Sequence, residues 1–153
     1  NPYALCNRAE IQFSRGDADK ARGAVKKCLK AAEDNSDFAS NETLYLESIR
    51  RIRTILDGKD IPSSAGLTEA GDKAFGGNDR LEAYIDYSLA YMRDPASERA
   101  LFGLAKTYDR LGRYGYAAGF LSMYLGLHPD GADAAEAAKI LSRIKSMRGL
   151  CSK

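Results

Sequence analysis

The chain has 153 residues, of which 44% are hydrophobic and 29% are charged, a composition typical of a folded globular protein rather than a disordered or fibrous one. Its 23 basic and 21 acidic residues give a net charge of +2 and are spread evenly, which argues against a nucleic-acid binder with a concentrated basic face. No run of apolar residues approaches the ~20 that a membrane-spanning helix requires, so we expect no membrane insertion.

The N-terminal part of the chain predicts one helical hairpin followed by one long helix. Apolar and small residues recur at helical spacing on both sides of a turn at Gly16-Asp17, which places a hairpin near residues 3–36. The stripe formed by Tyr45, Ile49 and Ile52 predicts an amphipathic helix near 38–56. Residues 57–64 are rich in Gly, Pro and Ser and predict an exposed connection.

Two further hairpins, near 64–97 and 98–131, are related by a sequence repeat. When Leu67 is aligned with Leu101, apolar, small and proline positions coincide at a spacing of 34 residues. The other aligned pairs are Gly71 with Ala105, Ala83 with Ala117, Tyr87 with Leu121, and Pro95 with Pro129. Repetition at this period is typical of helical-repeat proteins. A last helix near 133–147 is predicted to cap the final hydrophobic face.

This period and its landmark residues resemble the tetratricopeptide repeat. The last repeat carries the resemblance most closely, at Leu101, Leu104, Ala105, Tyr108, Gly112, Tyr114, Ala117, Leu121 and Pro129. With the looser copies the resemblance covers about two thirds of the chain. It implies an all-α fold, a right-handed superhelical stack of antiparallel helical hairpins with about eight helices in a single domain over residues 1–153. In this family the first helices of the hairpins line a concave groove that commonly accepts peptides or other protein segments.

The resemblance also implies which residues line that groove. They are Arg99, Phe102, Lys106, Asp109 and Arg110 in the last repeat, Glu69, Asp72 and Phe75 in the preceding one, and Asn7, Glu10 and Phe13 in the first. This set combines mixed charges with an aromatic residue in each repeat. We therefore expect a protein segment that carries acidic and apolar groups, placed against Arg99, Lys106, Arg110 and Phe102.

The predicted function is that of a protein-protein interaction module, a scaffold or adaptor. The alternative is a structural element that self-assembles into homo-oligomers or packs on missing parts of its own chain. We expect no catalytic role, cofactor or metal site, because no nucleophile, phosphate-loop or metal-ligand motif occurs in the sequence. His128, the single histidine, precedes Pro129 in a predicted turn, where a packing or solvated role is expected.

The cysteines bear on folding and on compartment. Cys6, Cys28 and Cys151 are too few for a disulfide scaffold and form no C-x-x-C pair. Cys6 and Cys28 fall on consecutive predicted helices, so a bridge is one alternative, but we expect buried free thiols. Because residue 1 is Asn, we expect a piece of a longer chain or a processed form. The compartment stays open between the cytoplasm and, if a signal segment was removed, the periplasm or the exterior.

Overall fold

The fold comes from a computed structural model that describes residues 1–58 and 60–151, with side chains described as far as Met147. Within these residues the chain forms nine α-helices and no β-strand, which confirms the all-α class. The helices are α1 (Pro2–Ser14), α2 (Ala18–Glu33), α3 (Ser36–Asn41), α4 (Thr43–Asp57), α5 (Ser64–Gly76), α6 (Arg80–Arg93), α7 (Glu98–Arg110), α8 (Tyr114–Leu127) and α9 (Ala134–Cys151). Among the same residues, no helix is both long and apolar enough to cross a membrane.

The chain divides into two compact units, unit 1 (Asn1–Ser63) and unit 2 (from Ser64 onward). The boundary falls in the connection that the Gly, Pro and Ser content of residues 57–64 indicates. In unit 1, α1 packs against α2, and in unit 2, α5 packs against α6 and α7 against α8, so each predicted hairpin forms. The right-handed superhelical arrangement and the single domain over 1–153 stay predictions.

The three hairpin turns share one backbone geometry. Gly16, Asn78 and Gly112 adopt positive φ angles of 77°, 60° and 71°, a left-handed conformation that ends the preceding helix. The next residue in each turn, Asp17, Asp79 or Arg113, donates its backbone N–H to a carbonyl in the last turn of that helix. The same positive-φ residue and the same backbone hydrogen bond recur in all three turns. This recurrence indicates that the residues next to each turn, rather than distant packing, determine its conformation.

The core of unit 1 contains a disulfide bond, and here the prediction of buried free thiols is wrong. Cys6 on α1 and Cys28 on α2 are fully buried and bonded to each other, with their Cα atoms 4.7 Å apart. Tight packing of the hairpin causes this approach, because Ala9 and Ala21 are also fully buried and let the two helices lie close together. The third cysteine, Cys151, has its side chain outside the described part.

The predicted long helix near 38–56 is interrupted, which accounts for the ninth helix. α3 ends at Asn41 and α4 begins at Thr43, with Glu42 between them at φ −112° and ψ 36°. The Asn35 side chain accepts a hydrogen bond from the Phe38 backbone N–H at 2.9 Å and so caps α3. On α4, Ile49 and Ile52 are fully buried, which confirms the inner face of the predicted stripe.

The centre of unit 2 is built around a tyrosine ring that lies against two glycines. Tyr87 of α6 is fully buried, and Gly71 of α5 and Gly103 of α7 both face its ring. A Cβ atom added at either glycine would come closer than 3.0 Å to ring carbons of Tyr87. The absence of side chains at these two positions therefore makes room for the ring.

The far end of unit 2 is closed by α9 and by the loop that leads into it. Ala137, Leu141 and Ile144 of α9 are buried against the last hairpin. Glu98, the first residue of α7, accepts hydrogen bonds from Tyr124 Oη at 2.6 Å and from the Ala132 backbone N–H at 2.7 Å. One carboxylate thus ties the loop to two helices.

This carboxylate predicts a pH dependence of stability. The hydrogen bond from Tyr124 is the main cause that lowers the pKa of Glu98, although desolvation opposes it. A lowered folded-state pKa contributes stability above the ordinary glutamate range, and this contribution is lost as the pH falls through the folded-state value. We expect Glu98→Gln to be less stable than the wild type at pH 7 and to approach it as the pH falls. Urea titrations of both proteins between pH 7 and pH 3 measure this, and a constant difference would contradict it.

Candidate functional site

The structure brings together part of the predicted groove on the face formed by α5 and α7 of unit 2. Lys106 Nζ lies 4.6 Å from the centroid of the Phe75 ring, and Arg110 Cζ lies 4.7 Å from it. Both distances are those of cation–π contacts. We call these three residues, Phe75, Lys106 and Arg110, the cation-aromatic cluster.

The two cations of this cluster carry charge that local carboxylates do not pair. Among the described residues, neither Lys106 nor Arg110 forms an ion pair. Asp133 interacts with Lys106 only through space: burial raises the pKa of the Asp133 carboxyl, and the Lys106 charge opposes that rise. Arg110 is exposed, whereas Phe75 and Lys106 are half-buried. The cluster therefore presents two positive charges around a partly accessible aromatic ring.

Asp72 and Arg99, at one side of the cluster, pair with each other. Asp72 Oδ2 accepts from Arg99 Nη2 at 2.5 Å, and its other oxygen accepts from Tyr87 Oη at 2.6 Å. Burial raises the pKa of Tyr87 far above its ordinary value, and the hydrogen bond to Asp72 adds to the rise. The phenol therefore stays protonated and donates a hydrogen bond to the carboxylate. Asp72 thus holds Arg99 in place and partly neutralises its charge, so Arg99 should attract an acidic ligand less strongly than Lys106 does.

Asp109, at the other side, is engaged by α9. Arg143 Nη2 lies 2.6 Å from Oδ1 and 2.5 Å from Oδ2 of Asp109, so one guanidinium nitrogen contacts both carboxylate oxygens. The ion pair links the C-terminal end of α7 to α9 and neutralises the predicted groove residue. Glu69 is exposed on α5, and no described contact places it in the cluster.

Two predicted groove residues are wrong because they are core residues. Phe13 is fully buried in unit 1, and Phe102 is only 4% exposed in unit 2. The Phe102 ring packs at 5.6 Å from the ring of Tyr124 on α8, so its side chain points into the hairpin rather than onto the surface. Lys106 Nζ lies 5.4 Å from the Phe102 ring and covers what is left of it. Phe75, not Phe102, is therefore the accessible aromatic residue of this face.

Two predicted groove residues of unit 1, Asn7 and Glu10, both contact the side chain of Tyr45. Tyr45 of α4 donates from Oη to Asn7 Oδ1 at 2.5 Å, and its Oη lies 3.3 Å from Glu10 Oε2. Burial raises the pKa of Glu10, and the contact with Tyr45 partly offsets the rise. A ligand that used Asn7 or Glu10 would first have to displace this phenol.

Unit 1 contains a groove between α2 and α4 that sequence reasoning missed. It has a volume of about 500 Å³, with Val25, Leu29 and Leu56 as its apolar part. Its charged lining residues are Arg22, Lys26, Lys30, Glu33, Arg53 and Asp57. Three basic residues of α2, Arg22, Lys26 and Lys30, recur every four residues, a spacing that indicates one cationic helix face. The groove could not be predicted because α4 lies outside the repeat pattern.

His128 has a structural contact in its turn. Its Nε2 atom donates to the Ala96 carbonyl at 3.0 Å, and its ring lies 5.5 Å from the ring of Tyr124. The ring therefore joins the turns that follow α6 and α8. Among the described residues, no three His, Cys, Asp or Glu side chains are grouped so that they could hold a metal ion.

No protein-family model matches the chain, and no curated protein matches it either. The resemblance to the tetratricopeptide repeat therefore depends on the spacing of the landmark residues, and membership of that family stays a prediction.

Proposed function

We propose that the chain is a protein-interaction module that binds an acidic, partly apolar protein segment on the α5 and α7 face of unit 2. The observation that carries this proposal is the cation-aromatic cluster, in which Lys106 and Arg110 flank the Phe75 ring and form no ion pair with a carboxylate in the described part of the chain. A carboxylate of the ligand would accept charge-assisted hydrogen bonds from these cations. An apolar side chain next to it would pack on the ring.

The neighbouring charges favour a protein segment over a polyanion. Asp72 and Asp109 lie on the same face and are already paired with Arg99 and Arg143. A nucleic acid that followed the surface would bring phosphates close to these carboxylates, which costs free energy. A peptide with one or two well-placed acids can reach Lys106 and Arg110 and leave the two ion pairs intact.

Reversal of the two cluster charges tests the proposal. We expect Lys106→Glu combined with Arg110→Glu to weaken the binding of acidic peptides by at least about tenfold, or about 1.4 kcal/mol, because repulsion replaces two attractive contacts. The peptides come from selection of a displayed random-peptide library on the wild-type chain, and fluorescence anisotropy measures their affinity. The selected sequences should pair Asp or Glu with a nearby apolar residue.

The matched control reverses two cations elsewhere. Arg15 and Lys27 are exposed in unit 1, and neither forms an ion pair among the described residues. Arg15→Glu combined with Lys27→Glu changes the net charge equally and should leave peptide affinity within about twofold. Equal losses in both double variants would reduce the effect to net charge, and no loss in the cluster variant would refute the proposed site. Circular dichroism confirms that each variant is folded.

We also infer that the protein functions in an oxidising compartment, the periplasm or the exterior. The support is the buried Cys6–Cys28 disulfide, since stable structural disulfides are rare in reducing compartments. Of the compartments that the sequence leaves open, the cytoplasm is the one that this bond disfavours. Mass spectrometry of the native protein after rapid alkylation would detect the bond, and free thiols at both positions would contradict the inference.

A further inference from the structure

Helix α8 has a composition unlike that of an ordinary surface helix. Its 14 residues, YGYAAGFLSMYLGL, include no charged side chain, in a chain in which 29% of residues are charged. One side of α8 packs into the core, but Tyr116 is 64% exposed, Met123 41% and Leu127 55%. A surface helix normally turns polar residues toward solvent. This exposed apolar side of α8, the α8 face, therefore lacks the composition that contact with water favours.

Exposed glycines lie beside these large side chains. Gly119 and Gly126 are exposed, and a Cβ added at either one would meet no atom of the described residues within 4 Å. Packing within one copy of the chain therefore does not require glycine at these two positions. Each costs roughly 0.5–1 kcal/mol of helix stability relative to alanine. Because a glycine has no side chain, a glycine on a helix surface permits another helix to approach closely.

We propose that the α8 face binds the α8 face of a second copy of this chain, with the two helices antiparallel. In a pairing centred at the level of Leu121, Met123 of one copy lies level with Gly119 of the other. By the same symmetry, Tyr116 lies level with Gly126. Met123 and Tyr116 thus each meet a gap in the facing surface, and each contact is made twice. One surface supplies both the protruding and the receding parts, which is what a two-fold interface needs.

The charges at the two ends of α8 select the antiparallel orientation. Arg113 precedes the helix and Asp130 follows it, both are exposed, and among the described residues neither has an ion-pair partner. Antiparallel pairing brings Arg113 of one copy to the end where Asp130 of the other lies, twice in each dimer. Parallel pairing would bring like charges together and align the two helix dipoles.

This interface is distinct from the peptide-binding face and does not depend on it. The α8 face consists of residues of the second helix of its hairpin, whereas the cation-aromatic cluster is formed by α5 and α7. A dimer would carry two such clusters, so a ligand with two acidic segments would bind with an avidity that a monomer lacks.

Sedimentation equilibrium of the whole chain from about 1 to 500 µM tests the proposal, because weak specific dimers dissociate in the micromolar range. We expect a reversible monomer–dimer equilibrium for the wild type. Gly119→Leu fills the gap opposite Met123 and should weaken dimerisation at least tenfold, although it makes the face more apolar. Gly23→Leu is the matched control, because Gly23 lies in α2 and its Cβ would also meet nothing within 4 Å. This control should dimerise like the wild type.

The outcomes separate the alternatives. A wild type that remains monomeric throughout the range overturns the proposal and leaves another protein or a missing segment as the occupant of the α8 face. Stronger association of Gly119→Leu would also overturn it. That result would indicate nonspecific hydrophobic association, which increases with exposed apolar area, rather than packing of Met123 into a gap. Thermal unfolding shows whether the variant is folded, and added helix propensity should hold its midpoint at or above that of the wild type.

A charge exchange tests the orientation independently. Arg113→Glu should weaken the dimer severalfold, and the further change Asp130→Lys should restore it, because each contact then has opposite charges again. In a parallel dimer, residue 113 of one copy faces residue 113 of the other. Arg113→Glu would then replace the repulsion between two arginines by the repulsion between two glutamates and leave the affinity unchanged. Unchanged affinity in Arg113→Glu would therefore overturn the antiparallel arrangement.

Discussion

Replacing both Cys6 and Cys28 by alanine should lower the free energy of unfolding of unit 1 by about 3 kcal/mol. The two residues are 22 positions apart in sequence, and the bond between them restricts the unfolded chain over that loop. Because both cysteines are fully buried, their loss also removes close contacts between α1 and α2. Hydrogen exchange measured by mass spectrometry should show faster exchange in α1 and α2, where amide protection depends on this local stability.

A reductant provides the companion measurement. Dithiothreitol should lower the denaturant midpoint of unit 1 in the wild type and have little effect on the double alanine variant, which has no bond to break. Cys151→Ser is the control, and its response to reductant should match that of the wild type. If reduction left protection of α1 and α2 unchanged in the wild type, the bond would not stabilise the hairpin.

Substitution of Gly103 by alanine should destabilise unit 2 by about 2 kcal/mol. The new methyl group would come closer than 3.0 Å to ring carbons of Tyr87. The ring has little freedom to withdraw, because it is fully buried, faces Gly71 as well, and donates a hydrogen bond to Asp72. Overpacking should therefore outweigh the roughly 1 kcal/mol that alanine contributes over glycine inside a helix. Urea unfolding followed by circular dichroism measures the change.

The same substitution at an unobstructed glycine provides the comparison. Gly23 lies inside α2, and a Cβ there would meet nothing within 4 Å. Gly23→Ala should therefore raise the free energy of unfolding by about 0.5–1 kcal/mol. Opposite signs for the two glycines would identify the Tyr87 ring as the cause. A stabilising effect of Gly103→Ala would mean that the ring can move aside.

The hairpins could be predicted because their signals are local. Apolar residues at helical spacing define each buried face, and a turn such as Gly112-Arg113 ends one helix and begins the next within a few residues. The break at Glu42 was missed because apolar spacing continues on both sides of it. The Cys6–Cys28 bond was not predicted, because it depends on how α1 and α2 rotate against each other, which spacing alone does not define.

The candidate site shows the same limit. The repeat pattern places both Phe75 and Phe102 in the groove, and only the packed structure distinguishes them. Phe102 packs against Tyr124 in the core, while Phe75 is half-buried at the surface. Helix periodicity indicates only approximately which side of a helix a residue lies on. It therefore does not distinguish a core residue from a residue at the edge of the buried face. The pairing of Asp109 with Arg143 depends on α9, which lies beyond the repeat.

The place of the disulfide within the first hairpin has a consequence for biosynthesis. Both cysteines lie in helices that are consecutive in the chain and in contact with each other, so the bond needs no later segment for its formation. Loop closure over so short a separation costs little entropy, and the third cysteine is far away in sequence. We therefore expect oxidation to begin while the chain is still being synthesised or exported, with the correct pair formed before Cys151 can compete for either thiol.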